Sequence, residues 1–380
     1  MDNRQLHIIS FDVPLPSNYG GVIDVFNKIR HLHLQGIQIT LHCFTYGREE
    51  SKLLESYCKR VYYYRRSTSK KKLFNHDPFI VITRKHPQLL KRLQEDQSPI
   101  LFEGLHTTQL LAIAALQNRK KIVRTHNIEH EYYQYLSQSE KNIFRKMYLL
   151  SESLKLKSYE KILNHAQLIG AISKNDENYF QKKYGNTFLL PPFHQFDQLI
   201  SQTGKGKYCL YHGNLKVAEN EKAALWLVDQ IAPKLNHPLV IAGSKCGKLL
   251  RSKISLSNNI SLVENPNEEE MGKLISEAHV HLLPSFQESG IKLKLIHALF
   301  SGRFILANDA MIHGTMLDKA CQTANGKEEF AQKANSLFEE EFSEEHREYR
   351  KTVLALQYDN ATNAKLFVAQ LFSKKLSMRT

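Results

Sequence analysis

The segment from Leu282 to Asn308 reads LLPSFQESGIKLKLIHALFSGRFILAN and predicts a strand, a polar loop, a helix and a second strand. Apolar residues recur at the i, i+4, i+7 and i+8 spacing of a helix packed on a core: Ile291, Leu295, Ala298 and Leu299. Gly302 then ends the helix. A unit of this kind is typical of an α/β domain with a parallel sheet, in which the loop after a strand points backbone N–H groups at a phosphate.

A second, polar face of the same segment strengthens the prediction of a phosphate site. Gly290, Lys294 and His297 also follow helical spacing, away from the apolar stripe. The loop before them contains the polar residues Ser285, Gln287, Glu288 and Ser289. We therefore expect an anionic ligand beside this loop.

Length and composition narrow the class of protein. A chain of 380 residues favours two domains, and 42% hydrophobic residues are enough for sizeable cores. The formal net charge of +14 favours anionic partners such as nucleotides or an acidic membrane surface, although a solvated basic surface is the simpler interpretation. Five scattered cysteines without a CxxC pattern argue against a disulfide framework or a zinc site.

The cellular location is predicted from segments that the sequence lacks. The N-terminus has no long apolar core of a signal peptide, and no stretch approaches the ~18 apolar residues of a membrane span. We expect a cytoplasmic protein. Peripheral contact with the inner face of a membrane is compatible with that location.

Strands and helices alternate along the chain, which predicts βαβ units and parallel sheets. The segment 191–207, with two glycines and little periodicity, is predicted to be a linker. Residues 1–190 would form a first Rossmann-like domain and residues 208–357 a second, with a cleft between them. A C-terminal helix over 358–380 would pack back on the first domain.

One loop and a series of helices are predicted within this frame. The loop contains Gly20 and Gly21 and follows the first strand. The helices span Val22–Gln35, Thr107–Leu116, Glu140–Asn164, the segment after Ser173 to about Tyr184, Glu221–Leu235 and Glu268–Ala278.

The basic run Arg65–Lys72 (RRSTSKKK) has two interpretations. Such runs are commonly solvated surface loops. The alternative is contact with an anionic membrane, worth about 1 kcal/mol per basic residue.

Several motifs in this order resemble the GT-B glycosyltransferases, in particular the large bacterial family that uses nucleotide-sugar donors (the family 4-like, or group 1, enzymes). Asn18-Tyr19-Gly20-Gly21-Val22 resembles the glycine-rich loop of that family, and Arg124-Thr125-His126-Asn127-Ile128-Glu129 resembles its RTHNxE segment. His212-Gly213-Asn214-Leu215 resembles the start of the donor domain. Gly290-Ile291-Lys292-Leu293-Lys294, with Ala298-Leu299 and Gly302-Arg303, resembles the GIKxK signature.

The resemblance implies a set of site residues. Sugar transfer would retain anomeric configuration without a metal or cofactor, and the UDP- or GDP-linked sugar would be the substrate. His126 and Glu288 are the catalytic candidates. The donor or its phosphates would be bound by Gly20, Gly21, Gly213, Asn214, Lys216, Ser285, Ser289, Gly290, Ile291, Lys292, Lys294 and His297.

The chemistry accounts for the lysines in this set. The leaving group is a diphosphate, and cations and helix N-termini stabilise its growing negative charge. Lys216, Lys292 and Lys294 are the cations available for that role.

This chain departs from the family pattern at three places, one of which is Phe304 in the position of a proline after Gly302-Arg303. His297 stands where the family has a glutamate that holds the donor ribose. A neutral imidazole can accept or donate a hydrogen bond to a hydroxyl, but it cannot bind in the bidentate way of a carboxylate. Glu288 lies in a loop that is one residue longer than the common version.

Metal and nucleic-acid sites receive little support. His126 and His130 have the i, i+4 spacing of metal ligands, but no third ligand is evident. Tyr62, Tyr63 and Tyr64 lie beside arginines, yet no nucleic-acid module is recognisable.

Three functions follow from these observations. The first is a glycosyltransferase that acts on a glycan or lipid-linked acceptor. The second is a GT-B binding or scaffold protein without catalysis, which His297 suggests. The third is a nucleotide-sugar epimerase, which needs no acceptor.

Overall fold

The computed structural model of the protein describes residues 4–288 and 290–373. The chain divides into two compact units, unit 1 with residues 1–195 and 358–380, and unit 2 with residues 196–357. Each unit is built around one parallel sheet with helices. The predicted fold class, two Rossmann-like α/β domains, is therefore confirmed.

The sheet of unit 1 has seven strands: β1 (Gln5–Ser10), β2 (Gln38–Thr45), β3 (Arg60–Arg65), β4 (Ile100–Glu103), β5 (Lys121–Arg124), β6 (Leu168–Ala171) and β7 (Thr187–Leu189). They are parallel, in the order β3-β2-β1-β4-β5-β6-β7. The helices are α1 (Gly20–Leu34), α2 (Phe79–Ile82), α3 (Pro87–Leu93), α4 (Glu129–Ser139), α5 (Ile143–Tyr159), α6 (Lys174–Tyr184) and a C-terminal helix (Asn360–Phe372). The order reverses between β1 and β4, which is where α/β sheets bind ligands.

The period-2 alternation of the strands produces two cores, one on each face of this sheet. Ile8 of β1 packs in the same buried cluster as Val25 of α1 and Phe367 of the C-terminal helix. The adjacent Ile9 belongs to the opposite cluster, with Leu156 of α5. The C-terminal helix is thus part of the core of unit 1, as predicted. It ends at Phe372, and the predicted helical residues 374–380 lie outside the described part of the chain.

The sheet of unit 2 has six strands: β8 (Cys209–Asn214), β9 (Leu239–Ser244), β10 (Ile260–Glu264), β11 (Val280–Leu283), β12 (Phe304–Ala307) and β13 (Gln322–Thr323). They are parallel, in the order β10-β9-β8-β11-β12-β13. The helices are α7 (Ala218–Trp226), α8 (Lys248–Ser255), α9 (Glu268–Glu277), α10 (Leu293–Ser301), α11 (Asp309–Ile312), α12 (Lys327–Glu339) and α13 (Glu344–Ala355).

Short non-α helical turns connect these elements. The 3-10 turns are Lys52–Ser56, Lys70–Phe74, Leu105–Leu110, Ala114–Leu116, Glu160–His165, Ala232–Lys234 and Asp318–Ala320, and Leu227–Ile231 is a π-helical turn. None of the helices in residues 4–288 and 290–373 is both long and apolar enough to cross a bilayer.

Two predicted boundaries near the glycine-rich motifs were wrong. Gly20 and Gly21 do not lie in a loop; they form the first turn of α1, after the extended Tyr19 at φ −150°. In unit 2, α10 begins at Leu293, so Gly290 and Ile291 precede the helix. Gly290 has φ +66°, a left-handed conformation that an α-helix cannot contain.

Three predicted helices also differ from the structure. Segment 107–116 forms 3-10 turns, because Thr108 Oγ1 donates to the carbonyl of Leu105 and competes with the helical ladder. The predicted helix 140–164 is α5 alone, followed by a 3-10 turn. The predicted helix 221–235 begins earlier, widens into the π-helical turn Leu227–Ile231 and ends in a 3-10 turn that contains Pro233, which has no N–H to donate.

Candidate functional site

In unit 2, the candidate site lies at the carboxyl edge of the sheet, where β8, β9 and β11 end side by side. Asn214, the last residue of β8, accepts a hydrogen bond from Ser244 Oγ at 3.1 Å. A Cβ at Gly243 would lie 1.9 Å from the carbonyl oxygen of Gly213, so these strand ends approach closely only because position 243 is glycine. Gly213 and Asn214 are therefore inside β8 at this edge, not in a loop after it.

Lys294 is the cation at the centre of this edge. Its Nζ donates to Asn220 Oδ1 at 2.8 Å and to Tyr211 Oη at 3.2 Å. Both of these hydrogen-bond partners are neutral side chains. Burial lowers the pKa of Lys294 to about 8; the charge of Glu219 opposes this effect, and the charge of Lys292 adds to it. Lys294 is thus a largely buried cation held by neutral partners.

The loop after β11 is held by hydrogen bonds to distant elements. Ser285 Oγ donates to Glu219 Oε1 of α7 at 2.6 Å, and Ser285 N donates to Asn308 Oδ1 at 2.9 Å. Lys292 Nζ reaches back to the carbonyl of Gln287 at 2.6 Å. These hydrogen bonds hold the described parts of the loop, on either side of position 289, in place.

The predicted loop residues differ in their surroundings. Glu288 is exposed, and Ser289 lies outside the described residues. Lys216 is also exposed, on the segment between β8 and α7. Gly290 and Ile291 are partly buried just before α10.

His297 lies on the first turns of α10, three residues after Lys294. Its ring centroid is 5.0 Å from that of Phe196 and 6.0 Å from that of His212. Burial lowers the pKa of His297 to about 4, so the imidazole is neutral at physiological pH. His297 therefore presents a neutral hydrogen-bonding ring where a glutamate would present a charge.

In unit 1, His126 follows β5 and belongs to a buried charged network. His126 Nε2 is 3.0 Å from Glu103 Oε2, and Nδ1 is 3.6 Å from Asp24 Oδ2. Lys28 Nζ donates to both oxygens of Glu103, at 2.8 and 3.0 Å. Arg124 Nη2 donates to Asp24 Oδ2 at 3.1 Å.

The charges of this network balance one another. Burial alone would raise the pKa of Glu103, but Lys28 and His126 hold it below its ordinary value. Burial would likewise raise the pKa of Asp24, which Arg124 and Lys28 keep low. The network positions the His126 ring between two ionised carboxylates.

The same carboxylates and His126 have ligand atoms within 4.8 Å of one another, as a metal site would require. Lys28 and Arg124 already neutralise both carboxylates and would repel a cation placed there. The donor set therefore fits an ion-pair network better than a metal site. His126 and His130, the i, i+4 pair in the sequence, do not form a metal site together. His130 Nδ1 instead lies 3.2 Å from Glu160 Oε2.

The glycine-rich segment lies beside this network. Tyr19 Oη donates to Asp12 Oδ2 at 3.0 Å, and Arg48 Nε donates to the carbonyl of Val13 at 2.8 Å. A Cβ at Gly21 would lie 2.8 Å from Phe11 Cζ, so the absence of a side chain lets the Phe11 ring pack against α1.

Several residues of both sites were not predicted from the sequence. They are Asp24, Lys28 and Glu103 in unit 1, and Tyr211, Glu219 and Asn220 in unit 2. A signal was present for part of this set: Asp24 and Lys28 are an i, i+4 pair on the apolar face of a helix, and Glu103 ends a buried strand. Charged residues in such positions are rarely buried unless paired.

Comparisons with known proteins agree with this architecture. Residues 206–340 match the family model described as glycosyl transferases group 1. A 44.6 kDa uncharacterized protein in the cps region of Klebsiella pneumoniae is 27% identical over 329 residues, which cover 81% of this chain and 84% of that protein.

Solved structures with low sequence identity share the fold. Sucrose-phosphate synthase from Thermosynechococcus elongatus has a TM-score of 0.68 and 17% identity, over 97% of this chain and 99% of that chain. The Anabaena protein HepE, solved in complex with UDP and glucose, has a TM-score of 0.65 and 12% identity, over 97% of this chain and 99% of that chain. The resemblance found in the sequence motifs is confirmed, and the fold is GT-B.

Proposed function

We propose, for a GT-B chain whose second unit matches the group 1 glycosyl transferases, that the protein transfers a sugar from a UDP- or GDP-linked donor. Unit 2 would bind the donor, and unit 1 a glycan or lipid-linked acceptor. The relative in a cps region supports a role in polysaccharide biosynthesis. HepE, solved with UDP and glucose, supports a nucleotide-sugar donor.

Lys294 is the observation that carries this proposal. A buried ammonium is unfavourable unless it is paired, and its partners here are a phenol and an amide. The charge of Glu219 acts on the ammonium without an ion pair, and a donor diphosphate at the carboxyl edge of the sheet would supply negative charge in direct contact. The ammonium would then stabilise the charge that develops as the sugar leaves, without a metal ion.

His126 would act on the acceptor side of the reaction. Glu103 and Asp24 orient its ring, and the charges of Lys28 and Arg124 keep both carboxylates ionised. We propose that His126 contacts the transferred sugar or the acceptor hydroxyl, and that retention of anomeric configuration follows from the family resemblance. For Glu288, the exposed position gives weaker support for a catalytic role.

Donor binding and transfer can be tested separately. We expect calorimetry to detect binding of UDP or GDP, and mass spectrometry to detect sugar transfer from the matching donor to acceptors in a cell extract. No nucleotide binding at all would instead favour the scaffold function. Conversion of the donor sugar without an acceptor would favour the epimerase. Nucleotide binding with neither transfer nor hydrolysis would contradict the transferase.

A membrane surface is the proposed location of the acceptor, because α5 exposes an apolar stripe. Ile143, Phe144, Met147, Leu150 and Leu154 are 41% to 79% exposed, and their spacing places them on one side of the helix. Phe74, at the end of the basic turn Lys70–Phe74, is 93% exposed.

Basic side chains surround that apolar stripe. Lys155 Nζ donates to the carbonyl of Leu73 at 2.8 Å, which ties α5 to the basic turn. Lys146 and Lys157 follow the other side of the stripe, and the acidic Glu152 is buried, where it pairs with Lys155 at 3.0 Å. Apolar residues flanked by lysines are typical of helices that lie in an anionic membrane interface.

Replacing Phe144 and Met147 by glutamate is expected to reduce binding to phosphatidylglycerol vesicles by about tenfold or more, since each residue loses apolar burial and gains repulsion. Vesicle flotation measures this. The control is Leu356→Glu, which changes a side chain of unit 2 that is 77% exposed. Equal binding by the wild type and both variants would contradict the membrane contact, and equal binding to uncharged phosphatidylcholine would contradict the preference for an anionic surface.

A further inference from the structure

Two arginines converge near the carboxyl edge of the first sheet without an acidic partner. Arg66 follows β3, and its Nε donates to Thr83 Oγ1 at 2.9 Å. Arg84 directly follows Thr83 in the chain. Its Nε donates to the carbonyl of Phe11 at 2.9 Å, and its Nη1 donates to the carbonyl of Ile80 at 2.6 Å. Ser67 N also donates to the carbonyl of Thr83 at 3.0 Å, so the two segments are held together.

The positive charge at this point is only partly offset within the described residues, by the charge of Asp12, which acts on both arginines. No carboxylate among them lies within 4 Å of either guanidinium, and Arg84 is only 7% exposed. Burial and the charge of Arg66 lower the pKa of Arg84 to about 9. Arg66 also lies over the rings of Tyr46 and Phe79, at 5.2 and 5.8 Å from their centroids. Two such cations side by side are unfavourable unless an anion joins them.

The pair lies close to the proposed acceptor side of His126. Phe11, whose carbonyl accepts from Arg84, has its ring 5.4 Å from His106 and 5.3 Å from His126, measured between centroids. Burial, followed by the charges of Arg84 and His126, lowers the pKa of His106 well below its ordinary value, so its ring is neutral. Burial also raises the pKa of Glu129 to about 8, which leaves that neighbour of His106 mostly uncharged at neutral pH.

We propose that Arg66 and Arg84 form an oxyanion site, and that the acceptor of this enzyme carries a phosphate or carboxylate group bound there. Guanidinium groups bind both anions through charge-assisted hydrogen bonds in a planar fork. The site would orient an anionic acceptor with its hydroxyl toward His126. This inference rests on the proposed transferase function and defines its acceptor as charged.

The arginine side chains can be observed directly in the full-length protein. In ¹⁵N-detected spectra of the arginine Nε–H groups, the signals of Arg66 and Arg84 are assigned from Arg66→Lys and Arg84→Lys. Inorganic phosphate is then titrated in one sample and acetate in another, each with UDP present. We expect both signals to shift with one or both anions, and the more effective anion identifies the acceptor group as phosphate or carboxylate.

A matched pair of variants decides whether the shifts report this site. Arg66→Gln is expected to weaken the response of Arg84 about tenfold, because it removes one charged donor. Arg65→Gln, at the exposed neighbouring position, is expected to leave it unchanged. No shift of either signal with either anion, or equal responses in the two variants, would overturn the proposal. UDP affinity is measured in the same samples, so loss of UDP binding, which concerns unit 2, is distinguished from failure of the oxyanion site.

Discussion

Replacing Lys294 by alanine is expected to lower kcat/KM for sugar transfer by about 10²- to 10³-fold, the cost of removing one group that stabilises transition-state charge. The variant loses the only described ammonium that donates to both Tyr211 and Asn220. Steady-state kinetics with the identified nucleotide sugar measure this loss. Binding of UDP by calorimetry is expected to weaken in parallel, since the diphosphate loses its cation.

The pH dependence of the transfer activity is an independent test of the role of Lys294. Burial lowers the pKa of Lys294 to about 8, so its charged fraction decreases as the pH rises through that value. Activity that needs the ammonium should therefore decline above about pH 8 in the wild type. Lys273→Ala, at an exposed position of α9, is the control and should keep wild-type kinetics. Full activity of Lys294→Ala, with an unchanged pH profile, would refute the diphosphate role.

Replacing Lys28 by methionine is expected to lower the free energy of unfolding of unit 1 by about 3–5 kcal/mol, because the change leaves buried charge uncompensated. Lys28 and Glu103 are both fully buried, and Nζ donates to both carboxylate oxygens. For a unit of this size the loss corresponds to a decrease in Tm of about 10 °C. Calorimetry or urea titration followed by circular dichroism measures the change.

The double variant Lys28→Met with Glu103→Gln tests whether the loss comes from the unpaired carboxylate. It should recover part of the stability, since a neutral amide costs less to bury. Lys91→Met, at an exposed position of α3, controls for the loss of a lysine as such. If Lys28→Met and Lys91→Met have the same stability, the network does not stabilise the fold.

Acid should weaken the same network. The pKa of Glu103 is held below its ordinary value of 4.5, by Lys28 and His126 against the effect of burial. A carboxylate with a lowered pKa contributes its full stabilisation above the unfolded value, and that contribution is lost as the pH falls through the folded value. The stability difference between the wild type and Lys28→Met should therefore shrink as the pH falls below 4.5, the ordinary value for a glutamate.

The alternation of strands and helices was predictable from sequence because apolar periodicity is a local property. The stripe of α10 predicted that helix, and Gly302 its end. β7 and β13, with three and two residues, are too short to produce a periodic signal. The 3-10 turns near Thr108 depend on hydroxyl bonds that compete with helix geometry, which apolar spacing does not report.

The site residues were predictable only in part, because many of their contacts join residues far apart in the chain. Lys294 and His297 follow from helical spacing, but the partners of Lys294 lie 74 and 83 residues away along the chain. Lys28 and Glu103 are likewise separated by 75 positions. Contacts at such distances depend on strand order, which a single sequence does not specify. The roles of Lys216, Glu288 and the donor-binding glycines stay predictions.

The C-terminal helix has a consequence for how the protein is made. Phe367 lies in the same core cluster as Ile8 and Val25, so the first unit includes residues from both ends of the chain. During synthesis, residues 196–357 leave the ribosome before that helix does, and domains generally fold as units during synthesis. Unit 2 can thus complete its sheet while unit 1 still has an uncovered apolar face. Chaperone binding should then be most important for the nascent first unit, until residue 372 has emerged.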